Sequence, residues 1–278
     1  MALLRVEELS VTYRHEEAVV RAVERVSLTV EPGEVVALVG ESGCGKTSVA
    51  LALTRLLPSS ARVTGNVMFE GSNLLVVSKE QLRRIRGGRI TYVFQDPGTS
   101  LNPVLTIGEQ LVEAIELHAG RHGDEARRAA GEWLRHVGIT SAEDRLDAYP
   151  HEFSGGMQQR VMLAMAIAAK PALLVADEPT TALDVTIQVQ ILRLLRELQR
   201  TLGLSVLLIS HDLGVVERLA HRVGVMLRGE LVEFGNTAQV LSRPAHPYTK
   251  ELLRYRAMLL LPQENQDRGQ QNTQSNDA

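Results

Sequence analysis

The alternation of apolar and polar residues predicts strands in the first third of the chain. Residues 3–13 and 23–30 carry hydrophobic side chains at every second position, as half-buried strands do. After a Glu-Pro-Gly-Glu turn, residues 35–39 have no polar face, which predicts a central strand buried on both sides. Further strands are predicted at 63–70 and 89–94.

The periodicity then changes from strand to helix. From about 105 to 150 the apolar residues recur at helical spacing, which predicts a helical subdomain inserted at about 98–153. Beyond it, helical and strand patterns alternate, as they do in proteins with a mostly parallel sheet. The predicted helices are 157–169 and 185–201, and the predicted strands are 172–176, 205–209, 222–228 and 230–234.

Composition argues against several functional classes, although it does not exclude nucleic-acid binding. The 278 residues are 44% hydrophobic and 23% charged, and the net charge of −3 provides no basic field for nucleic acid or anionic lipid. With Cys44 as the single cysteine, an intrachain disulfide and an all-cysteine metal site are impossible. The first residues lack the apolar core of a secretory signal, and no apolar run approaches the roughly 18 residues of a membrane helix. We therefore expect any membrane association to go through a partner.

A glycine-rich loop follows the buried strand at 35–39 and precedes a helical pattern that runs to about Leu57. It fits G-x-x-x-x-G-K-[ST], in which glycines let backbone N–H groups surround phosphate oxygens at a helix N-terminus. Lys46 is expected to neutralise the β- and γ-phosphates, and the Thr47 hydroxyl to bind Mg²⁺. The predicted nucleotide site comprises Gly40, Glu41, Ser42, Gly43, Cys44, Gly45, Lys46, Thr47 and Ser48.

Polar residues also follow three other predicted strands. Asp177 and Glu178 end a short apolar run, and the carboxyl ends of strands are where open α/β sheets bind ligands. We expect Asp177 to hold Mg²⁺ opposite Thr47, and Glu178 to act as the base that polarises the attacking water. His211 could donate a hydrogen bond to the γ-phosphate, and Gln95 could contact both Mg²⁺ and the water.

A second helix start has the features of an anion site. Ser154 is suited to cap the helix that follows it, and Gly155 and Gly156 let backbone N–H groups approach a phosphate. An ordinary capped helix is the alternative interpretation.

Taken in order, these segments resemble an ATP-binding-cassette ATPase over residues 3–240. The resemblance implies an α/β fold: a RecA-like P-loop NTPase core with a mostly parallel sheet, an N-terminal antiparallel β subdomain and an inserted α-helical subdomain. In that family two cassettes pair head to tail, so Ser154, Gly155 and Gly156 would contact the nucleotide held by the partner. It also implies that Tyr13 stacks on adenine and that Asp184, in the Ala182-Leu183-Asp184 loop, links the two sites.

Further segments resemble the importer branch that serves oligopeptides, dipeptides and nickel. They are the signature Phe-Ser-Gly-Gly-Met at 153–157, Gln95-Asp96-Pro97, and Pro-Ala-His-Pro-Tyr-Thr at 244–249. The resemblance implies an ATP- and Mg²⁺-dependent motor on the cytoplasmic face of the inner membrane. Its partners would be two permease subunits, a solute-binding protein and a second, related ATPase. Some members carry a cysteine-bound iron–sulfur cluster, which a chain with one cysteine cannot build.

The predicted domain organisation has three parts. Residues 1–242 form the ATPase domain, 243–261 a C-terminal extension, and 262–278 a tail rich in Gln and Asn that we expect to be disordered. In the extension, His246 and Tyr248 are assigned to packing rather than to a site.

Two other functions remain open at this stage. A cassette ATPase of a non-transport class would act on nucleic acid or the ribosome, and the basic run at 83–89 could contact the nucleic acid or be a solvated face. A small-molecule kinase could use the same phosphate loop, although the second anion-binding helix start argues against it.

Overall fold

Two sheets organise the chain in a computed structural model that describes residues 1–15, 18–95, 97–180 and 183–260. The strands are β1 (Leu4–His15), β2 (Ala18–Val30), β3 (Val35–Val39), β4 (Ala61–Phe69), β5 (Ser72–Asn73), β6 (Ile90–Val93), β7 (Leu173–Asp177), β8 (Ser205–Ile209), β9 (Arg222–Leu227) and β10 (Glu230–Asn236). An antiparallel sheet has the order β2-β1-β4-β5, and a six-stranded sheet has the order β10-β9-β3-β8-β7-β6. The larger sheet is parallel except for the β9–β10 hairpin.

Helices fill the intervals between the strands and extend beyond the last one. They are α1 (Lys46–Leu53), α2 (Lys79–Ile85), α3 (Pro97–Ser100), α4 (Ile107–Ala119), α5 (Gly123–His136), α6 (Ala142–Arg145), α7 (Gly155–Ala168), α8 (Val185–Leu202), α9 (Leu213–Leu219), α10 (Thr237–Ser242) and α11 (Pro247–Leu260), with a 3-10 turn at Pro150–Glu152. Among the helices of the described ranges, none has the length and apolar character needed to cross a bilayer.

Strand β3 shows why an uninterrupted apolar run is needed at the centre. Val35, Ala37 and Val39 pack into a core shared with α4, α5, α7, α8 and α9. Val36 and Leu38 point to the opposite face, where a second core includes α1 and the antiparallel sheet. Because both faces of this parallel sheet are covered, a polar residue at either set of positions would be buried without a partner.

Helix α1 is shorter than its periodicity predicts. The expected end was near Leu57, but α1 ends at Leu53 and Arg55 takes a left-handed backbone conformation with φ 57°. The Arg86 guanidinium donates to the carbonyl oxygens of Thr54 and Arg55 at 2.6–2.8 Å, so it caps the helix from a distant segment. An end stabilised in this way leaves no local sequence pattern.

The basic run at 83–89 is largely occupied by contacts within the chain. Arg84 pairs with Glu80 at 2.6 Å, Arg89 pairs with Glu70, and Arg86 caps α1. These contacts favour the interpretation of the run as a surface feature of the fold over a nucleic-acid site.

The predicted fold class is confirmed: the protein is α/β with a mostly parallel sheet and a separate N-terminal antiparallel sheet. Helices α3 to α6 lie in the interval assigned to the helical insertion. The boundaries of the insertion and of the C-terminal extension stay predictions, and the tail at 262–278 lies outside the described residues.

Candidate functional site

The glycine-rich loop is shaped by contacts that exclude side chains. A Cβ at Gly40 would lie 2.3 Å from the carbonyl oxygen of Met226, and one at Gly45 would lie 2.2 Å from that of Ala22. Both glycines have positive φ, 150° and 106°, which L-residues rarely adopt. The loop is therefore held in its tight conformation by β2 and β9 as well as by its own sequence.

Lys46 is buried inside this loop. Its Nζ donates to the carbonyl oxygens of Gly40 and Glu41, each at 2.8 Å, and the residue is only 5% exposed. The Lys46 ammonium therefore places a positive charge inside the loop, where it can bind an anion.

Cys44 contributes both its backbone and its thiol to the loop, since Lys46 Nζ donates to Cys44 Sγ at 3.7 Å. The side chain is buried in the second core, and the carbonyl oxygen accepts a hydrogen bond from the Gly229 N–H at 3.0 Å. Neighbouring Glu41 and Ser42 are exposed. The small size of this residue is thus explained by packing.

Thr47 and Asp177 meet between β3 and β7. Thr47, in the first turn of α1, lies close enough to the buried Asp177 carboxylate at the end of β7 for its hydroxyl to affect that carboxylate. Burial raises the pKa of Asp177, and the neighbouring Glu178 carboxylate raises it further, while Thr47 and the Lys46 ammonium oppose the change. The ionised Asp177 carboxylate is therefore energetically unfavourable in this buried position unless a cation is bound to it.

These two side chains fit Mg²⁺. Within the described ranges, no three His, Cys, Asp or Glu side chains lie close enough to hold a metal ion. Mg²⁺ is commonly bound by one or two protein oxygens together with phosphate oxygens and water, which matches a hydroxyl and a single carboxylate. Thr47 and Asp177 would hold the ion, which would supply positive charge at the phosphates.

Glu178 is held at the strand end next to His211. Its N–H donates to the Ile209 carbonyl oxygen at 2.9 Å, and its carboxylate oxygen lies 3.2 Å from His211 Nδ1. Its φ of 48° is unusual for a residue other than glycine, a conformation that costs about 1–3 kcal/mol. The pairing of β7 with β8 therefore brings together the predicted base and the predicted histidine.

Gln95 and Tyr13 are positioned by two other elements, β6 and β1. Gln95 is exposed just beyond β6, the strand beside β7. The Tyr13 hydroxyl lies 3.0 Å from Ser48 Oγ, so this half-buried side chain is tied to the first turn of α1. Asp96, the residue after Gln95, lies outside the described residues.

The second helix start has the predicted cap. Ser154 Oγ accepts from the Met157 N–H at 3.4 Å, and Gly155 is exposed. Gly156 is buried, and a Cβ there would lie 2.6 Å from Ile187 Cγ2 on α8. Glycine at position 156 thus has a packing reason in addition to any role in binding.

Asp184 caps α8 by accepting from the Ile187 N–H at 3.0 Å. Its carboxylate therefore has a structural role within one chain, while its predicted link between two sites stays a prediction. Ala182 lies outside the described residues.

Tyr248 was assigned to packing from the sequence, but in the structure it also contacts the phosphate loop. Tyr248, in the first turn of α11, places its hydroxyl 3.4 Å from the Glu41 N–H. The two residues are 207 positions apart in the sequence, so local periodicity could not predict this contact.

Comparisons with known proteins identify the family of this chain. The family model described as ABC transporter matches residues 23–181, more than half of the chain. A probable peptide ABC transporter ATP-binding protein, y4tR of Sinorhizobium fredii, is 51% identical over 90% of this chain and 76% of its own length. The dipeptide transport ATP-binding protein DppD of Escherichia coli is 49% identical over 91% of this chain and 78% of its own.

A solved structure matches the whole architecture. It is the dimeric, post-hydrolysis state of the ATP-binding cassette MJ0796 bound to ADP and Pi, with a TM-score of 0.74 and 28% identity. The match covers 84% of this chain and 98% of that chain.

Replacing Asp177 by Asn should stabilise the protein without nucleotide or Mg²⁺. Because the folded-state pKa is raised, the wild type loses stability as the pH rises from the ordinary Asp value of about 3.9 through the folded value. Thermal unfolding in EDTA should give a higher Tm for Asp177→Asn at pH 7, and a smaller difference near pH 4. A lower Tm than wild type at pH 7 would show that the carboxylate is not an unfavourable charge.

Replacing Gly156 by Ala should lower stability more than replacing Gly155. The added methyl group must displace a branched side chain at 2.6 Å in the first case and meets only Leu183 at 3.7 Å in the second. Overpacking of this kind costs about 1–3 kcal/mol, and denaturant unfolding of both variants measures the difference. Equal stabilities would mean that α7 and α8 are not packed as described.

Proposed function

The chain belongs to the ABC transporter family of ATP-binding proteins, and on that premise we propose that it is the ATP-hydrolysing motor subunit of a membrane importer for peptides. One observation carries the proposal: the phosphate loop, the Thr47–Asp177 pair and the Glu178–His211 pair all follow neighbouring parallel strands. A kinase would share the phosphate loop and the Mg²⁺ ligands, but it would not need the Glu178–His211 pair to activate water.

Each residue has a role that its surroundings support. Lys46 neutralises the β- and γ-phosphates, and Thr47 and Asp177 hold Mg²⁺. Glu178 accepts a proton from the attacking water as the water oxygen bonds to the γ-phosphorus and the bond to the β–γ bridging oxygen breaks, which releases ADP. His211 orients the Glu178 carboxylate and donates to the γ-phosphate. Gln95 completes the environment of the ion and the water, and Tyr13 stacks on adenine.

Two copies of the cassette are needed for a complete reaction centre. Gly156 is buried against Ile187 of α8 in its own chain, whereas Ser154 and Gly155 are exposed and are available to a partner's nucleotide. We assign Asp184 to the contact between the two sites. The dimeric state of the related MJ0796 cassette supports this arrangement.

An apolar groove beside Gln95 is suited to the permease. It has a volume of about 420 Å³ and lies between β6, α4 and α7, with lining side chains that include Phe94, Leu101, Leu117, Met162 and Met165. Phe94 is 41% exposed and Leu117 is 63% exposed, an arrangement typical of protein contact sites. Because Phe94 adjoins Gln95, a permease segment seated here would sense the state of the nucleotide site.

The wider assembly follows from the same premise. The helical segment at 98–153 would move relative to the rest of the ATPase domain and transmit the change to two permease subunits on the cytoplasmic side of the membrane. A solute-binding protein and a second, related ATPase would complete the importer. The names of the relatives favour peptides as cargo, nickel stays a prediction, and the comparisons give no support to a nucleic-acid function.

Changing Glu178 to Gln should separate binding from hydrolysis. The amide cannot take the proton from water, so turnover should fall by about 100-fold or more, while ATP binding and ATP-dependent dimerisation persist. Phosphate release, nucleotide binding and size-exclusion chromatography measure the three properties. Glu197→Gln, on the exposed face of α8, is the control, and near-normal turnover in Glu178→Gln would remove this residue from its role.

Changing Leu117 to Glu should uncouple the subunit from the permease. A carboxylate in the groove would be desolvated on docking, so association with the transmembrane subunits and uptake should fall at least about tenfold. Basal ATP hydrolysis by the isolated subunit should stay within about twofold of wild type, because Leu117 lies outside the nucleotide site. Val76→Glu, at a residue that is 78% exposed and outside the groove, is the matched control. Unchanged uptake in Leu117→Glu would refute docking at this groove.

A further inference from the structure

A side chain of the C-terminal extension reaches the phosphate loop. Tyr248 lies in the first turn of α11, and its hydroxyl oxygen accepts from the Glu41 N–H at 3.4 Å. The ring is partly buried against the core that includes α8 and α9. A segment outside the motifs of the ATPase thus touches the second residue of the loop.

The helix that carries Tyr248 is anchored on both sides of it. The N–H groups of Ala245 and His246 donate to the two carboxylate oxygens of Glu233 on β10, at 2.8 and 3.0 Å. Two turns beyond Tyr248, Arg256 pairs with Glu217 on α9 at 2.7 Å. The hydroxyl is therefore presented to the loop by a fixed element, which is how positioning groups gain precision.

Glu41, which is hydrogen-bonded to Tyr248, is also hydrogen-bonded to Lys46. The Glu41 carbonyl oxygen accepts from Lys46 Nζ at 2.8 Å and from the Cys44 N–H at 3.3 Å. Tyr248 thus fixes the peptide on the N-terminal side of Glu41, and Lys46 is bound to the peptide on its other side. If a bound anion draws the Lys46 ammonium away, the Glu41 carbonyl oxygen loses one hydrogen bond. The hydrogen bond from the Glu41 N–H to the Tyr248 hydroxyl would then contribute more to holding the shape of the loop.

The chemistry of the hydroxyl suits this position. Burial raises the pKa of Tyr248, and the nearby Glu41 carboxylate adds to the rise although the Glu41 N–H opposes it. The phenol is consequently neutral at pH 7. It can accept from the backbone and donate to the carboxylate without adding negative charge beside a nucleotide.

We propose that Tyr248 is a positioning residue for the phosphate loop, through which the C-terminal extension contributes to ATP affinity. The inference rests on the proposed function only in requiring that ATP binds at this loop. It assigns a role to a residue that does not itself touch the nucleotide, so its effect should appear in binding rather than in the chemical step.

Tyr248→Phe in the full chain tests the proposal, because it removes the hydroxyl and keeps the ring. Loss of one hydrogen bond to the loop should raise the Kd for Mg-ATP and the KM by about two- to tenfold, while kcat stays within about twofold. Tyr255→Phe is the matched control, since Tyr255 lies on the same helix, is 59% exposed and bonds only to Glu251 among the recorded contacts of the described residues. It should bind ATP as the wild type does.

The outcomes separate the inference from the proposed function. Equal Kd values for Tyr248→Phe and wild type, an equal loss in Tyr255→Phe, or a fall in kcat alone would overturn the role of Tyr248. Failure of the wild type itself to bind ATP would instead contradict the function proposed for the site.

A measurement on the wild type covers the case in which the variant does not fold. If the extension strengthens ATP binding, ATP must stabilise the contact of the extension by the same factor. Hydrogen exchange at the first turns of α11 should therefore slow when Mg-ATP is added. Exchange that is the same with and without Mg-ATP would overturn the proposal.

Discussion

The parallel pairing of β8 with both β3 and β7 is the constraint on which the candidate site depends. It aligns the ends of three buried strands, so that Lys46, Asp177 and His211 leave the sheet at one edge. Strands this short can hold such a register only when both faces are covered, which the two cores on either side of β3 provide. The polar residues of the candidate site are thus positioned by apolar packing to which they do not themselves contribute.

The residues of the candidate site are held in states that do not favour the stability of the folded chain. Asp177 is buried with a raised pKa, Glu178 has a positive φ, and Lys46 is buried among carbonyl oxygens. A cation and phosphates would neutralise the two buried charges, whereas the backbone strain at Glu178 is present with or without them. Residues kept in such states point to a ligand more strongly than any one motif, because folding alone gives no reason to retain them.

Local patterns predicted most of the strands, the longer helices up to α8 and the residues of the candidate site, but they missed α2 and the helices after β8 and failed where a distant segment decides. The buried strand before the loop and the carboxylates after β7 could be identified because strand burial and strand ends are visible in sequence. The end of α1 could not, because Arg86 supplies its cap from 32 positions away. The packing reason for Gly156 depends on Ile187, and the contact of Tyr248 depends on the position of α11, neither of which follows from periodicity.

The β9–β10 hairpin explains how these distant contacts are connected. Met226 on β9 closes against Gly40, the Gly229 N–H in the turn bonds to Cys44, and Glu233 on β10 anchors the segment that precedes Tyr248. A single antiparallel hairpin at the edge of a parallel sheet therefore supports the phosphate loop twice, directly and through α11. The loop motif is local in sequence, but its shape is a property of the hairpin. Variation in the hairpin or in α11 can then tune ATP affinity while every residue that touches the nucleotide is retained.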